Sequence, residues 1–485
     1  MMVQPAEDSV TRRASRAFGW SFGNTVAARL GTLTIGIALA RVLGPEEFGI
    51  FAIATVTLLA ILSFNELGVS LAIIRWRDDP ATIAPTVNTV AALSSGLLTA
   101  AVMLAAPGIA SLLGDPRATT VIRVLAVSIL LDGLVATSAA VMQREFMQKQ
   151  RTIADQVNTW LGAGLSLLLA LLGWGAMSLA IGRLAGSLVH GALLVHWSPI
   201  GYRFGWDRDI ARRLFRFGMP LAASSIVVFA SGYVDQMIVG AVAGAQALGF
   251  YVLAFNLASW PVSIFSLPLR AVAPAAFSAL KDEPERMTRN FTRVLTLLSC
   301  VALPACLAVS GAAGPVVHFV YGAAWAPAAH VLVWMAAFAA LKIWFELAYD
   351  YVVVQGKPGF LLVVQISSFA VALPLMLWAV RQGGGPAVAA VQFLVGVVVV
   401  VPLYVLGLQR IGVRPGRVLC AVLLPVGAGL VAWLVGWQLA RALTPAFVAA
   451  SAAGLVAVLI IAALAWWQRN DLRLLRAAAA GRGIA

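Results

Sequence analysis

Residues 38–75, ALARVLGPEEFGIFAIATVTLLAILSFNELGVSLAIIR, are echoed two hundred positions later by GAVAGAQALGFYVLAF, residues 240–255. At that offset Val42 meets Val242, Gly44 meets Gly244, Gly49 meets Gly249 and Ala54 meets Ala254, with Ile50-Phe51 facing Phe250-Tyr251. The match extends upstream, where Arg12, Arg13 and Arg16 fall on Arg212, Arg213 and Arg216, each triplet just before a long apolar run. A turn with glycine at both ends, joining two apolar segments of spanning length, predicts a tight hairpin of transmembrane helices. Two copies in register predict two similar halves, a construction of secondary transporters that hold substrate near mid-membrane where the halves meet.

Composition agrees. The chain has 485 residues, 61% hydrophobic and only 11% charged, with mean hydropathy +0.92, whereas soluble domains carry about a quarter charged residues. The net charge of +14 comes from basic residues scattered in short loops. That pattern fits loops facing anionic membrane lipid and argues against nucleic acid. Cys300, Cys306 and Cys420 lie inside apolar runs without metal-ligand or redox spacing and read as small core residues. The first apolar run is followed by a hairpin, so no cleaved signal peptide is expected.

Apolar runs near twenty residues long predict fourteen spans, at about 18–40, 48–70, 84–106, 118–141, 157–173, 176–197, 217–240, 248–272, 291–312, 328–351, 360–380, 386–408, 417–439 and 445–467. Between these spans Lys and Arg divide 25 to 5 between alternate sides. Positive loops stay in the cytoplasm, so the bias predicts a multi-pass protein of the cytoplasmic membrane with both termini inside. The repeat covers six helices, an even number, so the halves share an orientation and an axis along the membrane normal is expected. The expected fold is all-α: an N-terminal lobe of spans 1–6 (residues 1–206), a C-terminal lobe of spans 7–12 (207–416), and two additional helices with a cytoplasmic tail (417–485) in a structural or lipid-facing role. Just before span 7, Ile210, Leu214 and Phe217 share a helical face opposite several arginines. This predicts an anchor lying flat at the headgroup boundary, with residues 7–18 as its counterpart.

The run Ala40-Arg41-Val42-Leu43-Gly44-Pro45-Glu46-Glu47-Phe48-Gly49, continued by Glu66-Leu67-Gly68, resembles the opening of Wzx-type polysaccharide transporters. So does Asp235-Gln236-Met237-Ile238-Val239-Gly240 followed by Ala247-Leu248-Gly249-Phe250-Tyr251. Those transporters share a superfamily with lipid II flippases and multidrug and toxin extrusion exporters. The resemblance implies a flippase that carries a polyprenyl-diphosphate-linked oligosaccharide to the outer leaflet for exopolysaccharide, capsule or O-antigen synthesis. Membrane lipids, the polysaccharide polymerase and its co-polymerase are the partners it implies.

Ionisable residues inside spans cost a few kcal/mol on insertion scales and face a cavity or a partner. Arg29 lies about eleven residues into span 1, roughly 17 Å deep at 1.5 Å per residue. With Arg183 in span 6 and Lys342 in span 10, it could hold a diphosphate, while each could instead pair with an acid or reach the interface. Arg270, near the inner end of span 8, reads as an interface residue or a contact for an entering diphosphate. Asp235 recurs in the family pattern and is the acid for cation coupling or for a structural ion pair. Lys342, Glu346 and Asp350 recur every fourth residue. They read as a polar seam facing the cavity, or as a self-neutralising Lys342–Glu346 pair with Asp350 at the cytoplasmic end. Glu66 and Asp132 receive no role, and His190, His196, His318 and His330 lack metal spacing.

No hydrolase triad, nucleotide-binding loop or glycosyltransferase acidic pair is found, so no enzyme activity, cofactor or metal is expected. Transport energy would then come from an ion gradient, the membrane potential or removal of product. Three rivals remain open. A drug exporter of the multidrug and toxin extrusion type should have twelve spans and an acidic cavity. A lipid II flippase is not separable by sequence. A membrane ligase or polymerase needs a large periplasmic loop, and the longest outer loop here, about residues 313–327, is short and uncharged.

Overall fold

The computed structural model describes the backbone of residues 7–65, 73–74, 76, 79–278 and 283–469, and the side chains of those residues except 7–30, 32–33, 63–65, 221–231, 261–278 and 284. Among the described residues there is no strand. The helical stretch Glu7–Asn65 would be roughly 88 Å long if straight, about three bilayer cores. It breaks at Gly44 (φ 72°, ψ 174°), with Pro45 opening the next turn, into α1 (7–43) and α2 (45–65). There follow α3 (Pro80–Leu112), α4 (Ala118–Arg144), α5 (Gln148–Leu171) and α6 (Ala176–Trp197). Arg208–Ser278 breaks at Gly244 (φ 86°, ψ 175°) into α7 (208–243) and α8 (245–278). Next come α9 (Pro284–Gly311), a short helix Ala313–Tyr321, and α10 (Ala328–Val354). The stretch from Pro358 breaks at Gly383 and Gly384 into α11 (358–382) and α12 (385–409), the latter passing through a π turn at Gly396–Val400. The last helices are α13 (Pro415–Ala442) and α14 (Ala446–Trp467).

Ten stretches are long and apolar enough to cross a membrane, and three of them contain these glycine breaks. With α5, whose first turns carry Lys149, Arg151 and Asp155, the spanning segments among the described residues reach the expected fourteen.

The chain forms two compact units, Met1–Ala230 and Ser231–Ala485. Their backbones repeat each other well beyond the sequence echo. Gly44 and Gly244 hold the same positive-φ, ψ near 175° conformation, which is closed to residues bearing a Cβ. At the end of α4, Met147 N–H bonds the Met142 carbonyl at 2.9 Å, and 210 positions later Lys357 N–H bonds the Val352 carbonyl at 3.3 Å. The residue between carries positive φ in both, Phe146 (54°) and Gly356 (71°), as a Schellman cap requires. Ahead of α6 and α12, Gly175 (φ 53°, ψ −140°) and Gly384 (φ 60°, ψ −145°) match again. Counted from these turns, Asp132 corresponds to Lys342 and Arg183 to Gln392.

Small residues hold each unit together. The buried face of α5 is Gly162, Ser166 and Ala170, and α6 meets it with Gly182 and Gly186. A Cβ on Gly182 would come within 2.5 Å of the Gly162 carbonyl and would also strike Ser166 Oγ. Without a hydrophobic driving force between helices in lipid, such backbone approach supplies the packing. In the second unit α13 presents Val422, Pro425, Gly429, Ala432 and Gly436 in one buried line. A Cβ on Gly429 would sit 2.8 Å from Leu307, and one on Gly436 3.2 Å from the Ala308 carbonyl, so this line lies on α9. The added α13 is thus seated on the core of the second unit, with Leu423, Leu430 and Leu434 left on its outside. Cys300 and Cys306 are buried as expected, but Cys420 is exposed because it lies off that line.

The expected flat anchor is also corrected. The amphipathic start of α7 rests on protein rather than lying on lipid: Ala211 and Leu214 are buried in a cluster with Ile83, Val87 and Val90 of α3, and Arg213 stacks 4.1 Å over the Trp76 ring. The segment before it is strapped to α3 by hydrogen bonds, Gly205 N–H to the Pro85 carbonyl (3.1 Å), Asn88 Nδ2 to the Arg203 carbonyl (2.9 Å) and Asp207 N–H to Thr86 Oγ1 (3.0 Å). A periodic apolar face specifies burial; it does not say whether lipid or protein covers it.

Candidate functional site

In the second unit α7, α8 and α12 bring together Asp235, Tyr251 and Gln392. Asp235 is 3% exposed. Its Oδ2 accepts hydrogen bonds from Tyr251 Oη and from Gln392 Nε2, both at 2.8 Å. Tyr251, itself fully buried, is held from behind by α12, where a Cβ on Gly385 would stand 3.3 Å from the ring, tighter than ordinary contact. No cation pairs with Asp235 among the described residues. Taking a carboxylate out of water costs several kcal/mol, so this arrangement needs a reason.

The first unit shows that the fold does not supply one. Ile35 and Phe51 stand where the second unit has Asp235 and Tyr251, and they pack with Leu39, Leu43 and Leu167 in an apolar cluster. The same helical geometry is therefore satisfied without an acid. Gln392 was not singled out from the sequence. A lone glutamine in an apolar run carries no periodic signal, and only the turn equivalence and the contact reveal it.

Lys342 is exposed and Glu346 half-buried, and they form no ion pair with each other. Asp350 is only 7% exposed and leaves the exposed face. Each step of four residues turns by about 40°, so two steps turn by about 80°, which carries Asp350 into the core beside Tyr351. Of the three residues expected on one stripe, Asp350 thus turns inward, while Lys342 shares an exposed face with Tyr349 and Val353.

In the first unit Arg183 of α6 and Asp132 of α4 interact through their charges, and His190 acts on the same carboxylate. His190 Nε2 also lies 3.1 Å from Asp155 Oδ1 of α5. Arg183 and Asp132, which received no role from the sequence, are within electrostatic reach of each other but form no ion pair. The side chains of Arg29 and Arg270 lie outside the described residues.

The acids of the Gly-Pro-Glu-Glu run have structural partners. Glu46 Oε1 meets Arg117 at 2.6 Å and Arg117 meets Asp115 at 2.7 Å, in the turn ahead of α4. Glu47 Oε2 accepts the Ala176 N–H at 2.7 Å and so caps the start of α6. The counterpart turn, Gly244-Ala245-Gln246-Ala247, carries no charge. The hydrogen bond from Arg117 holds the Asp115 carboxyl below its ordinary 3.8, against the opposing effect of burial. A depressed carboxyl contributes stability in full above its unfolded value and loses it as pH falls through the folded value. Thermal unfolding in detergent is therefore expected to show a loss of stability below pH 3.8 that Asp115→Asn removes. The loss is small because Arg117 is 57% exposed and the pair is screened. An identical acid limb in the variant would rule out this origin.

A family model described as polysaccharide biosynthesis protein matches residues 38–330. The chain is 27% identical over 327 residues to the succinoglycan biosynthesis transport protein ExoT of Rhizobium meliloti (strain 1021), covering 66% of this chain and 65% of that protein. It is 23% identical over 309 residues to the lipopolysaccharide biosynthesis protein WzxC of Escherichia coli (strain K12), covering 63% of each. The match thus spans less than two thirds of the length of either relative. Among solved structures, the inward closed conformation of the lipid II flippase MurJ superimposes with TM-score 0.76 over 92% of this chain and 99% of that one, at 13% identity. That likeness is one of fold.

Proposed function

Because this chain belongs to the polysaccharide biosynthesis protein family, its model matching residues 38–330, we propose that it is a flippase that moves a polyprenyl-diphosphate-linked oligosaccharide across the cytoplasmic membrane by alternating access. The family match supports a role in polysaccharide synthesis, and the lipid-linked oligosaccharide is the form of cargo this reading assigns. Sugars and a diphosphate cannot cross hydrocarbon unaided, since each unpaired polar group costs several kcal/mol there, and a duplicated helical bundle with charges at depth is suited to lowering that cost. In this reading the lobes are residues 1–206 and 207–416, with 417–485 added, both termini are cytoplasmic, and the polymerase and co-polymerase take the product on the outer side.

Lys342 is the leading contact for the diphosphate, because it is exposed and has no ion pair among the described residues, whereas Arg183 is half-buried with Asp132 within electrostatic reach. From the sequence, Arg29 and Arg270 are further cationic candidates and Glu346 an acidic one, and in this reading Asp235 couples transport to a cation. Asp350 belongs to the core rather than to the cargo.

Purified protein in liposomes tests the reading with a fluorescent polyprenyl-diphosphate oligosaccharide whose outer-leaflet fraction is read by a membrane-impermeant quencher. Flipping should require the protein and fall about tenfold with Lys342→Ala, the loss of one charge-assisted contact. Movement of lipid II or of a cationic drug, with none of the oligosaccharide, would replace this reading with one of its rivals.

A further inference from the structure

Within the second unit a cavity of about 340 Å³ lies among α9, α10, α12 and α13, lined by aromatic and aliphatic groups including Phe291, Trp344, Phe345, Tyr404 and Val418. No charged residue lines it. Its size is that of a ligand site rather than a packing defect. It sits at the arginine-rich end of these helices: Phe291 is two turns into α9, Leu408 is at the end of α12, and Pro415 and Gly416 at the start of α13 form its edge. Leu419, another lining residue, is 62% exposed, so the cavity opens on the outer surface of a spanning helix, where lipid is the solvent.

At that edge the α12–α13 turn carries Arg410 and Arg414 and the first turn of α13 carries Arg417, all exposed. None of their side chains makes an ion pair or hydrogen bond among the described residues. No Asp or Glu occurs in the sequence between Asp350 and Asp471. At this end of α9, Glu283 is held by Arg286 at 2.7 Å, and the exposed Glu285 makes no ion pair with the three arginines. Among the described residues, three guanidinium groups without an acidic partner therefore lie at the edge of an apolar slot.

We propose that this is a binding site for an anionic phospholipid of the arginine-side leaflet, one acyl chain in the cavity and the phosphate on Arg410, Arg414 and Arg417. Moving a chain from bilayer to slot changes its hydrophobic surroundings little, so the cavity contributes shape and the headgroup charge decides which lipid is held. Basic pockets between helices on the inner side select anionic lipid in this way. A polyprenyl chain is several times larger than the slot and would lie mostly outside it. The proposal is independent of the transported substrate.

The test uses the full-length protein in phosphatidylcholine nanodiscs doped with phosphatidylglycerol of the same chains, and native mass spectrometry reads which lipid stays bound on release. Phosphatidylglycerol should be retained about tenfold over its share of the bilayer. Replacing Arg410, Arg414 and Arg417 together by Gln should remove that preference. Ala348→Phe, which fills the slot, should reduce retention of both lipids, and Val405→Phe does the same should the first variant fail to fold. Equal retention of the two lipids by the native chain, or an undiminished preference in the triple variant, overturns the proposal. Displacement of phosphatidylglycerol by an equimolar polyprenyl phosphate also overturns it and gives the slot to the substrate.

Discussion

Asp235→Asn is expected to abolish polymer export while the protein stays folded in the membrane, and Asp235→Leu to lose stability as well. The amide keeps an oxygen for the Tyr251 hydroxyl and the Gln392 N–H, each now 2.8 Å from Oδ2, so the packing of α7, α8 and α12 survives. What disappears is the charge. Leucine instead leaves both donors buried without an acceptor, at about 1–3 kcal/mol each. The two variants thus separate a coupling acid from a structural one. Export measured in a strain lacking its own flippase should fall at least about tenfold for Asn, with the melting temperature in detergent nearly unchanged. Native export by Asp235→Asn, or a collapse of the melt equal to that of Asp235→Leu, would make this acid a structural residue. The first unit makes the structural reading the weaker one, since Ile35 and Phe51 fill the corresponding positions with ordinary apolar packing.

Gly182→Leu is expected to produce the largest loss of stability in the first unit. Its Cβ would meet the Gly162 carbonyl at 2.5 Å, an atom of the backbone that no rotamer change can move. Overpacking costs about 1–3 kcal/mol where side chains can adjust, and here two helices must separate, so about 3 kcal/mol or more is expected. Gly164→Leu on the same α5 is the control, because nothing lies within 4 Å of the Cβ it would gain. Gly182→Leu should lower the yield of monodisperse protein and expose α5 and α6 to protease, and Gly164→Leu should do neither. Equal behaviour of the two would mean that close backbone approach is not what joins these helices.

The duplicated plan was legible because it is written in glycines. Gly44 and Gly244 could be paired by eye, and both hold a conformation that only glycine adopts freely. Further along, the echo fails for a physical reason: Phe146 occupies the turn position that Gly356 fills, and helix interiors accept any apolar residue of suitable size. The equivalences of Asp132 with Lys342 and of Arg183 with Gln392 are preserved in backbone geometry alone.

Candidate charges were likewise half legible. Their presence inside spans is a matter of composition, so Arg183, Asp235 and Lys342 could be named at once. Their partners come from elsewhere in the chain. Asp235 finds Gln392 157 positions away, and Arg183 has Asp132 of α4 within electrostatic reach, without an ion pair.

Length, hydropathy and the spacing of arginines, all local or additive properties, were enough to determine fourteen spans, two like halves and a basic side. Only the tertiary structure decided that the amphipathic start of α7 is covered by α3, that α13 is seated on α9, and that Asp350 turns into the core while Lys342 does not. Helical periodicity sets the angle between residues of one helix, but the direction that helix faces is settled by what packs against it.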